Sequence, residues 1–137
     1  MVRSVSGADA VLDLGGSHDV VVAGAGLAGH AAALSAAQAG ARVLLLEKGE
    51  EYGGSSVLAG GGLVFVGTDL QEAAGVVDSE AALQADLLAA GNGRADEALV
   101  DLYVSHQLET YEWLRSNGVE MSLAAPSSPG EVVRIHL

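Results

Sequence analysis

Residues His18 to Gly62 of this chain read HDVVVAGAGLAGHAAALSAAQAGARVLLLEKGEEYGGSSVLAGGG. We predict one strand at Val20 to Ala23, a helix over Leu27 to Gln38 that Gly40 ends as a left-handed cap, and a second strand at Val43 to Leu46. A continuous apolar run such as the first strand is typical of a strand buried on both faces of a parallel sheet. The three elements together predict one βαβ unit.

The turn between the first strand and the helix matches the Gly-x-Gly-x-x-Gly fingerprint of dinucleotide-binding proteins. Gly24 permits the sharp turn, Gly26 lets a pyrophosphate approach the backbone, and Gly29 lets the helix pack on the strand. The free N–H groups and the dipole at the start of the helix favour negatively charged phosphates. The predicted cofactor contacts in this turn are Gly24, Ala25, Gly26, Leu27, Ala28 and Gly29.

An acid closes the second strand. Glu47 lies near the spacing of about 20 residues that is expected for a ribose-binding carboxylate. Such a carboxylate accepts hydrogen bonds from ribose hydroxyls and repels a 2′-phosphate, which argues against NADP. The alternative is that Glu47 is only a charged residue leaving a buried strand. Lys48 is also predicted to contact the cofactor, along the adenosine, although it could equally reach into solvent.

A second glycine-rich loop follows, in a region from Gly53 to Gly67 that we predict to be loop. Five of its first ten residues are glycine, more than a simple turn requires, which suggests backbone close to a flat or charged ligand. The alternative is a mobile linker, although the apolar residues 57–59 argue against free mobility. The predicted contacts here are Gly53, Gly54, Ser55, Ser56, Ala59, Gly60, Gly61 and Gly62.

The rest of the chain is predicted to be mainly helical. We expect Asp69 to cap a short helix to Ala74, Asp78 or Ser79 to cap another, and Asp96 to start a longer one. Helical spacing on the longest helix predicts a common face for Leu99, Tyr103, Gln107, Tyr111 and Leu114, and its aromatic residues are expected to pack against further sequence. A strand could begin at residues 132–135.

Composition limits the function classes. The 137 residues have a formal net charge of −12, which disfavours nucleic acid and anionic lipid as partners. No cysteine is present, which excludes disulfides and thiolate zinc sites and suits a reducing compartment, so a cytoplasmic location is expected. No apolar run is long enough for a membrane span. No metal site is predicted, and all four histidines are interpreted as structural.

Several of these segments together resemble the fumarate reductase/succinate dehydrogenase flavoprotein family, which includes the 3-ketosteroid dehydrogenases. The resemblance rests on VVVAGAGLAG, LLLEKGEEYGGSS, LAGGGLVFVGT and the later YEWLRSNGVEM. It implies an α/β fold, the N-terminal part of a Rossmann-like FAD-binding domain whose sheet is incomplete. Residues 1–17 would be a lead-in, and residues 18–137 a partial FAD-binding domain that ends before the substrate or cap domain.

The resemblance implies non-covalently bound FAD, because Ser55 stands where the membrane-complex branch has a histidine that bonds covalently to the flavin. Residues 53–56 would line the pyrophosphate and the flavin edge, and residues 59–62 would pass beside the isoalloxazine ring. The implied activity is hydride transfer between flavin N5 and an activated carbon–carbon bond of a small-molecule substrate. Arg134 and His136 lie near an Arg-x-His of some relatives, but no catalytic residue is assigned.

Two alternatives stay open at this point. The chain could be a truncated, non-catalytic fragment with weak or no FAD binding, or it could be an NAD-binding Rossmann domain. The substrate, the reaction direction, the electron partner and the oligomeric state do not follow from the sequence.

Overall fold

The computed structural model describes residues 16–126 and 132–137. The chain divides into two compact units, Met1–Gly60 and Gly61–Leu137, which we describe separately. Most of the predicted lead-in, residues 1–15, lies outside the described residues, so the predicted boundary at residue 17 stays a prediction.

The first unit contains the predicted βαβ arrangement with the predicted bounds. Strand β1 is Val20–Ala23, helix α1 is Leu27–Gln38, and strand β2 is Val43–Leu46. The strands pair in parallel, with Val20 opposite Val43 at the start of the ladder. Gly40 follows α1 with φ +88°, the left-handed conformation predicted for it. The carboxyl ends of both strands therefore meet at one edge, beside the amino end of α1.

The prediction that β1 is buried on both faces is wrong for the described residues. Burial alternates along the strand, and the side chain of Val21 is 58% exposed. The reason is that α1 packs against β1 and β2 on one side, and no other described element of this unit forms a second layer over them.

A 3-10 helix of about two turns replaces part of the predicted loop between residues 53 and 67. Residues Gly54–Ala59 form a 3-10 helix at the end of the first unit. The second unit then begins with a two-residue strand, β3, at Leu63–Val64. Both elements are shorter than the windows in which hydrophobic periodicity can be read, which is why the sequence did not predict them.

The second unit is mainly helical. Helix α2 is Asp69–Ala73, α3 is Glu80–Ala90, and α4 is Glu97–Ser116. Strand β4, Ile135–His136, pairs with β3 in antiparallel fashion, so a strand does form near the predicted position.

Side-chain caps define where these helices start. Ser79 Oγ and Asp96 Oδ1 accept from backbone N–H groups of α3 and α4, which agrees with the prediction. For α2 the predicted cap is wrong by one residue. The Thr68 hydroxyl accepts from Gln71 N at 3.2 Å, and Asp69 is the first helical residue.

The core of the second unit lies between α3, α4 and the segment after β3. Val66, Leu83 and Val104 form its buried centre. The buried face of α4 consists of Val104, Gln107 and Tyr111, so the predicted face is rotated, and Leu99 is 64% exposed. Aliphatic residues are common on exposed surfaces. Helical spacing of apolar residues therefore does not by itself show which face of α4 is buried.

The aromatic residues of α4 also differ from expectation. Tyr111 packs inside this unit, in edge-to-face contact with Phe65 at 5.3 Å and His136 at 5.5 Å between ring centroids. Tyr103 is 40% exposed. Packing against further sequence is therefore not needed to bury Tyr111.

Candidate functional site

The turn from β1 into α1 is built by two glycines that the fold itself requires. Gly24 has φ +102°, and its N–H donates to Leu46 O at 2.7 Å, which places the turn at the end of the parallel ladder. A Cβ on Gly29 would lie 1.8 Å from Gly24 O, a distance that no side chain can occupy. Both glycines therefore act through the backbone geometry, as the sequence predicted.

The amino end of α1 has little side-chain capping. Gly26 is the N-cap and has no side-chain cap, and the first turn of the helix contains no acidic residue. Ser56 Oγ accepts a hydrogen bond from Leu27 N at 3.3 Å. Because the first N–H groups of a helix lack intrahelical partners and carry partial positive charge, this end is suited to an anion.

Gly26 lines a cradle between the two glycine-rich loops. Its φ of −78° is ordinary for any residue, so backbone conformation does not require glycine here. A Cβ would meet Gly53 O at 3.7 Å and Ser56 Oγ at 4.0 Å, which are ordinary contacts. The space beside Gly26 is the part of the site that a side chain would fill and that a phosphate group could occupy.

The two loops are joined by backbone hydrogen bonding. Gly53 N donates to Ala25 O at 2.7 Å, and Gly26 and Gly53 form a parallel β-bridge. The Leu27–Ser56 hydrogen bond adds a side-chain link. The second loop thus extends the first along the carboxyl edge of the strands.

Glu47 fixes the turn from the end of β2. Its Oε2 accepts from Ala25 N at 2.8 Å, and its Oε1 accepts from Gly49 N at 2.9 Å. The hydrogen bond from Ala25, followed by that from Gly49, lowers the pKa of Glu47, which keeps the carboxylate ionised. Lys48 is exposed beside it.

The glycines of the second loop have a conformational explanation. Four of them have left-handed backbone, with φ of +109°, +54°, +64° and +81° at Gly53, Gly54, Gly60 and Gly61 respectively. Gly53 and Gly60 are the caps of the 3-10 helix. Glycine density alone is therefore weaker support for a ligand than the sequence suggested, and the joined backbones are stronger support.

The structure brings some predicted site residues together and leaves others apart. Those joined by direct contacts within the first unit are Ala25, Gly26, Leu27, Glu47, Gly53 and Ser56. Ser55 and Ala59 are exposed on the 3-10 helix, and Gly61 and Gly62 belong to the second unit.

Sequence reasoning missed a pair of side chains beside the turn. His30 Nδ1 donates to Gly26 O at 3.0 Å, and the rings of His30 and Tyr52 meet edge to face at 5.9 Å. The usable signal was position: His30 lies in the first turns of α1, where side chains lean back toward the amino end, and Tyr52 directly precedes the second loop.

Arg134 and His136 have structural contacts in the second unit. His136 is buried, and its Nε2 is 2.9 Å from Thr68 Oγ1, while its Nδ1 donates to Arg134 O at 2.8 Å. Burial is the main cause that lowers the pKa of His136 and favours the neutral ring. Arg134 forms ion pairs with Asp78 and Asp86.

Comparison with known proteins agrees with the geometry of the first unit. A family model described as "FAD binding domain" matches residues 19–135. Among curated proteins, a fumarate reductase (cytochrome) from Shewanella frigidimarina is 36% identical over 118 residues, covering 86% of this chain and 21% of that protein. The chain thus spans about a fifth of the length of this curated relative.

Solved structures give the same result. An open conformation of a flavocytochrome c3 fumarate reductase matches with a TM-score of 0.75 and 36% identity, over 87% of this chain and 21% of that one. A 3-ketosteroid-Δ4-(5α)-dehydrogenase from Rhodococcus jostii RHA1, in complex with 4-androstene-3,17-dione, matches with a TM-score of 0.68 and 43% identity, over 77% of this chain and 22% of that one.

These matches confirm the predicted partial Rossmann-like fold and favour FAD over the NAD alternative. Within the part of the chain that the structure describes, no helix has the length and apolar character needed to cross a membrane. The matched family and the shared fold together show that the chain belongs to the FAD binding domain family, with fumarate reductase and 3-ketosteroid dehydrogenase flavoproteins as relatives and FAD as cofactor.

Proposed function

We propose that this chain holds the diphosphate and ribose of non-covalently bound FAD in an FAD-dependent oxidoreductase. The observation that supports this most directly is the pair of joined loops, in which Ala25 and Gly53 share a hydrogen bond of 2.7 Å beside the open cradle at Gly26. The proposed reaction is hydride transfer between flavin N5 and an activated carbon–carbon bond of a carboxylate or steroid-like substrate. When bound, FAD supplies the hydride chemistry.

The amino end of α1 would bind the diphosphate. Ala28 and Gly29 continue the first turn from Leu27, and no acidic side chain in this turn already occupies its positive end. Backbone N–H groups are the suitable donors here, since the chain as a whole has a net charge of −12 and offers little general attraction to an anion.

Glu47 would bind the ribose. A carboxylate has about four acceptor positions, and backbone N–H groups take two of them, one on each oxygen. The remaining positions can accept from two ribose hydroxyls without releasing the turn. Because Glu47 stays ionised, it would also repel a 2′-phosphate.

Ser55 supports the non-covalent mode. It is exposed on the 3-10 helix, and a serine hydroxyl lacks the ring nitrogen through which a histidine bonds to a flavin. The proposed roles of Gly54, Ala59 and Gly60 to Gly62, at the flavin edge and along the ring, follow from the family resemblance.

The test compares FAD binding by the wild-type chain and by two single-residue variants. Gly26→Ala is compatible with the backbone but fills the cradle, so we expect normal circular dichroism and FAD affinity reduced by more than about tenfold, since a phosphate held against backbone cannot move aside. Ala37→Ser, on the exposed far end of α1, is the control and should bind as the wild type does.

Affinity is measured by the quenching of FAD fluorescence, with NAD as a competing ligand. A wild-type chain that binds no FAD, or that binds NAD more tightly, would contradict the proposal. Equal affinity of Gly26→Ala and the wild type would contradict the assignment of the cradle.

A further inference from the structure

The pair of His30 and Tyr52 lies against the backbone of the proposed diphosphate site. The His30 ring reaches back along α1 to within 3.0 Å of Gly26 O, the residue whose open side forms the cradle. Tyr52, which is 76% exposed, contacts this ring edge to face. Neither contact is required to fill a core, because both side chains are exposed.

The hydrogen bond to Gly26 determines which nitrogen of His30 is available. A carbonyl oxygen only accepts, so Nδ1 carries the hydrogen and donates it. Nε2 is then the nitrogen that can meet a ligand. It can donate to a phosphate oxygen only when it also carries a proton, which makes the ring a cation.

Few other cations are available to the diphosphate. Among the described residues of the first unit, Arg42 and Lys48 are the side chains with a permanent positive charge. Arg42 is bound to Asp19 at 2.9 Å, at the start of the strands and away from their carboxyl edge. A protonated imidazole beside the amino end of α1 would add a charge-assisted hydrogen bond to the helix dipole.

We propose that His30, in contact with Tyr52, binds a phosphate oxygen of the FAD diphosphate through protonated Nε2, so that binding takes up a proton. This rests on the proposed function. The titratable group packed against the ring is the Tyr52 phenol. The segment that carries Tyr52 also contains Glu47, whose carboxylate is held by Ala25 and Gly49, together with Lys48, Glu50 and Glu51.

The experiment is titration calorimetry on the full chain, with ADP as probe for the diphosphate half of FAD and adenosine as the probe without phosphate. Runs at pH 7 in two buffers of different ionisation enthalpy give the number of protons taken up. With ADP the wild type should take up a fraction of a proton more than His30→Phe does, and with adenosine neither should take up any. The difference is the relevant quantity, because the terminal phosphate of ADP also titrates in the pH range in which an imidazole changes its charge.

Three variants separate the roles of His30. His30→Phe keeps a ring against Tyr52 but no donor. It should lose the additional proton uptake and about tenfold of ADP affinity, as expected for one charge-assisted hydrogen bond. His30→Lys supplies a permanent cation and should keep most of the affinity without the additional proton uptake. His106→Phe removes an exposed imidazole from α4 and should match the wild type.

Adenosine affinity should be the same in all variants. Unchanged ADP affinity and proton uptake in His30→Phe would overturn the role of His30 while leaving the proposed function intact, provided that the wild type binds FAD. A loss in His30→Lys as large as in His30→Phe would also overturn it, because a cation would then not restore binding and the hydrogen bond of Nδ1 to Gly26 O, absent from both variants, would account for the loss. A wild-type chain that binds neither FAD nor ADP would overturn both proposals.

Discussion

Replacement of Arg134 by methionine should destabilise the second unit strongly. The guanidinium donates to Asp78 through Nε at 2.5 Å and Nη2 at 2.8 Å, and it also pairs with Asp86. The side chains of Arg134 and Asp78 are 13% and 2% exposed. Arg134→Met keeps an apolar stem of similar length but leaves the Asp78 carboxylate buried without its cation.

The expected loss follows from this burial. Removing one partner of a buried ion pair costs about 3–5 kcal/mol. The lower end applies here, because Ser79 N still donates to Asp78 at 2.8 Å and the Asp86 side chain is 67% exposed. A loss of about 3 kcal/mol in the free energy of unfolding lowers the Tm of a chain of this size by about 10 °C.

The Tm difference between the wild type and Arg134→Met should become smaller as the pH falls. Burial raises the pKa of Asp78, but hydrogen bonds from Arg134 and Ser79 outweigh burial and lower the pKa. In the wild type this stabilisation is present above the ordinary aspartate pKa of about 3.9 and is lost as pH falls through the lowered value. In the variant burial dominates, so the carboxyl group protonates at higher pH and the Tm difference should narrow from pH 7 to pH 4.

The assay is thermal unfolding followed by circular dichroism at pH 7, 5.5 and 4. Arg42→Met is the matched control, since Arg42 and Asp19 form the same type of pair with side chains 62% and 48% exposed. We expect its Tm to stay close to that of the wild type. A similar Tm loss in both variants, or a loss in Arg134→Met that does not change with pH, would refute this reasoning.

Three other residues give predictions of the same kind. Gln107→Leu removes the amide group that bonds to Val66 N at 2.9 Å and to Val66 O at 3.1 Å. It should lower the free energy of unfolding, measured with urea, by about 2–4 kcal/mol, and an unchanged urea midpoint would contradict this. Gly29→Ala places a Cβ 1.8 Å from Gly24 O, so it should reduce both FAD quenching and Tm, and a variant with the wild-type Tm would show that the turn is looser than described. Thr68→Val removes both the cap of α2 and the hydroxyl beside His136 Nε2. It should lower the free energy of unfolding by about 1–2 kcal/mol, with Thr68→Ser closer to the wild type; equal losses in the two variants would contradict a role for the hydroxyl.

The βαβ unit could be predicted from the sequence because several independent signals coincide there. The apolar runs, the alanine-rich segment and Gly40 each predict the same boundaries, and the structure has those boundaries. Gly24 and Gly29 could also be predicted, since their need for glycine arises within the turn itself.

Features that depend on contacts between distant residues could not be predicted in the same way. The buried face of α4 packs against Phe65, Val66 and Leu83, which lie on other segments of the chain, so periodicity placed Leu99 inside although it is exposed. The glycines of the second loop were interpreted through a ligand, whereas left-handed backbone already accounts for four of them, Gly53, Gly54, Gly60 and Gly61.

In the candidate site, too, the sequence predicted a residue by its spacing but did not predict its contacts. Spacing alone identified Glu47, but its hydrogen bond to Ala25 N depends on how the two strands align, and only the structure shows it. The contact of His30 with Tyr52 joins residues 22 positions apart on different segments, with no motif to mark it.

The most direct test of the central claim is an NMR titration of the isotopically labelled chain with FAD. We predict that the largest amide shifts occur at Ala25, Gly26, Leu27 and Gly53, where the joined loops would meet the diphosphate, and that the amides of α4 change little. Saturable FAD binding whose largest shifts fall on α4, with those loop amides unchanged, would contradict the account.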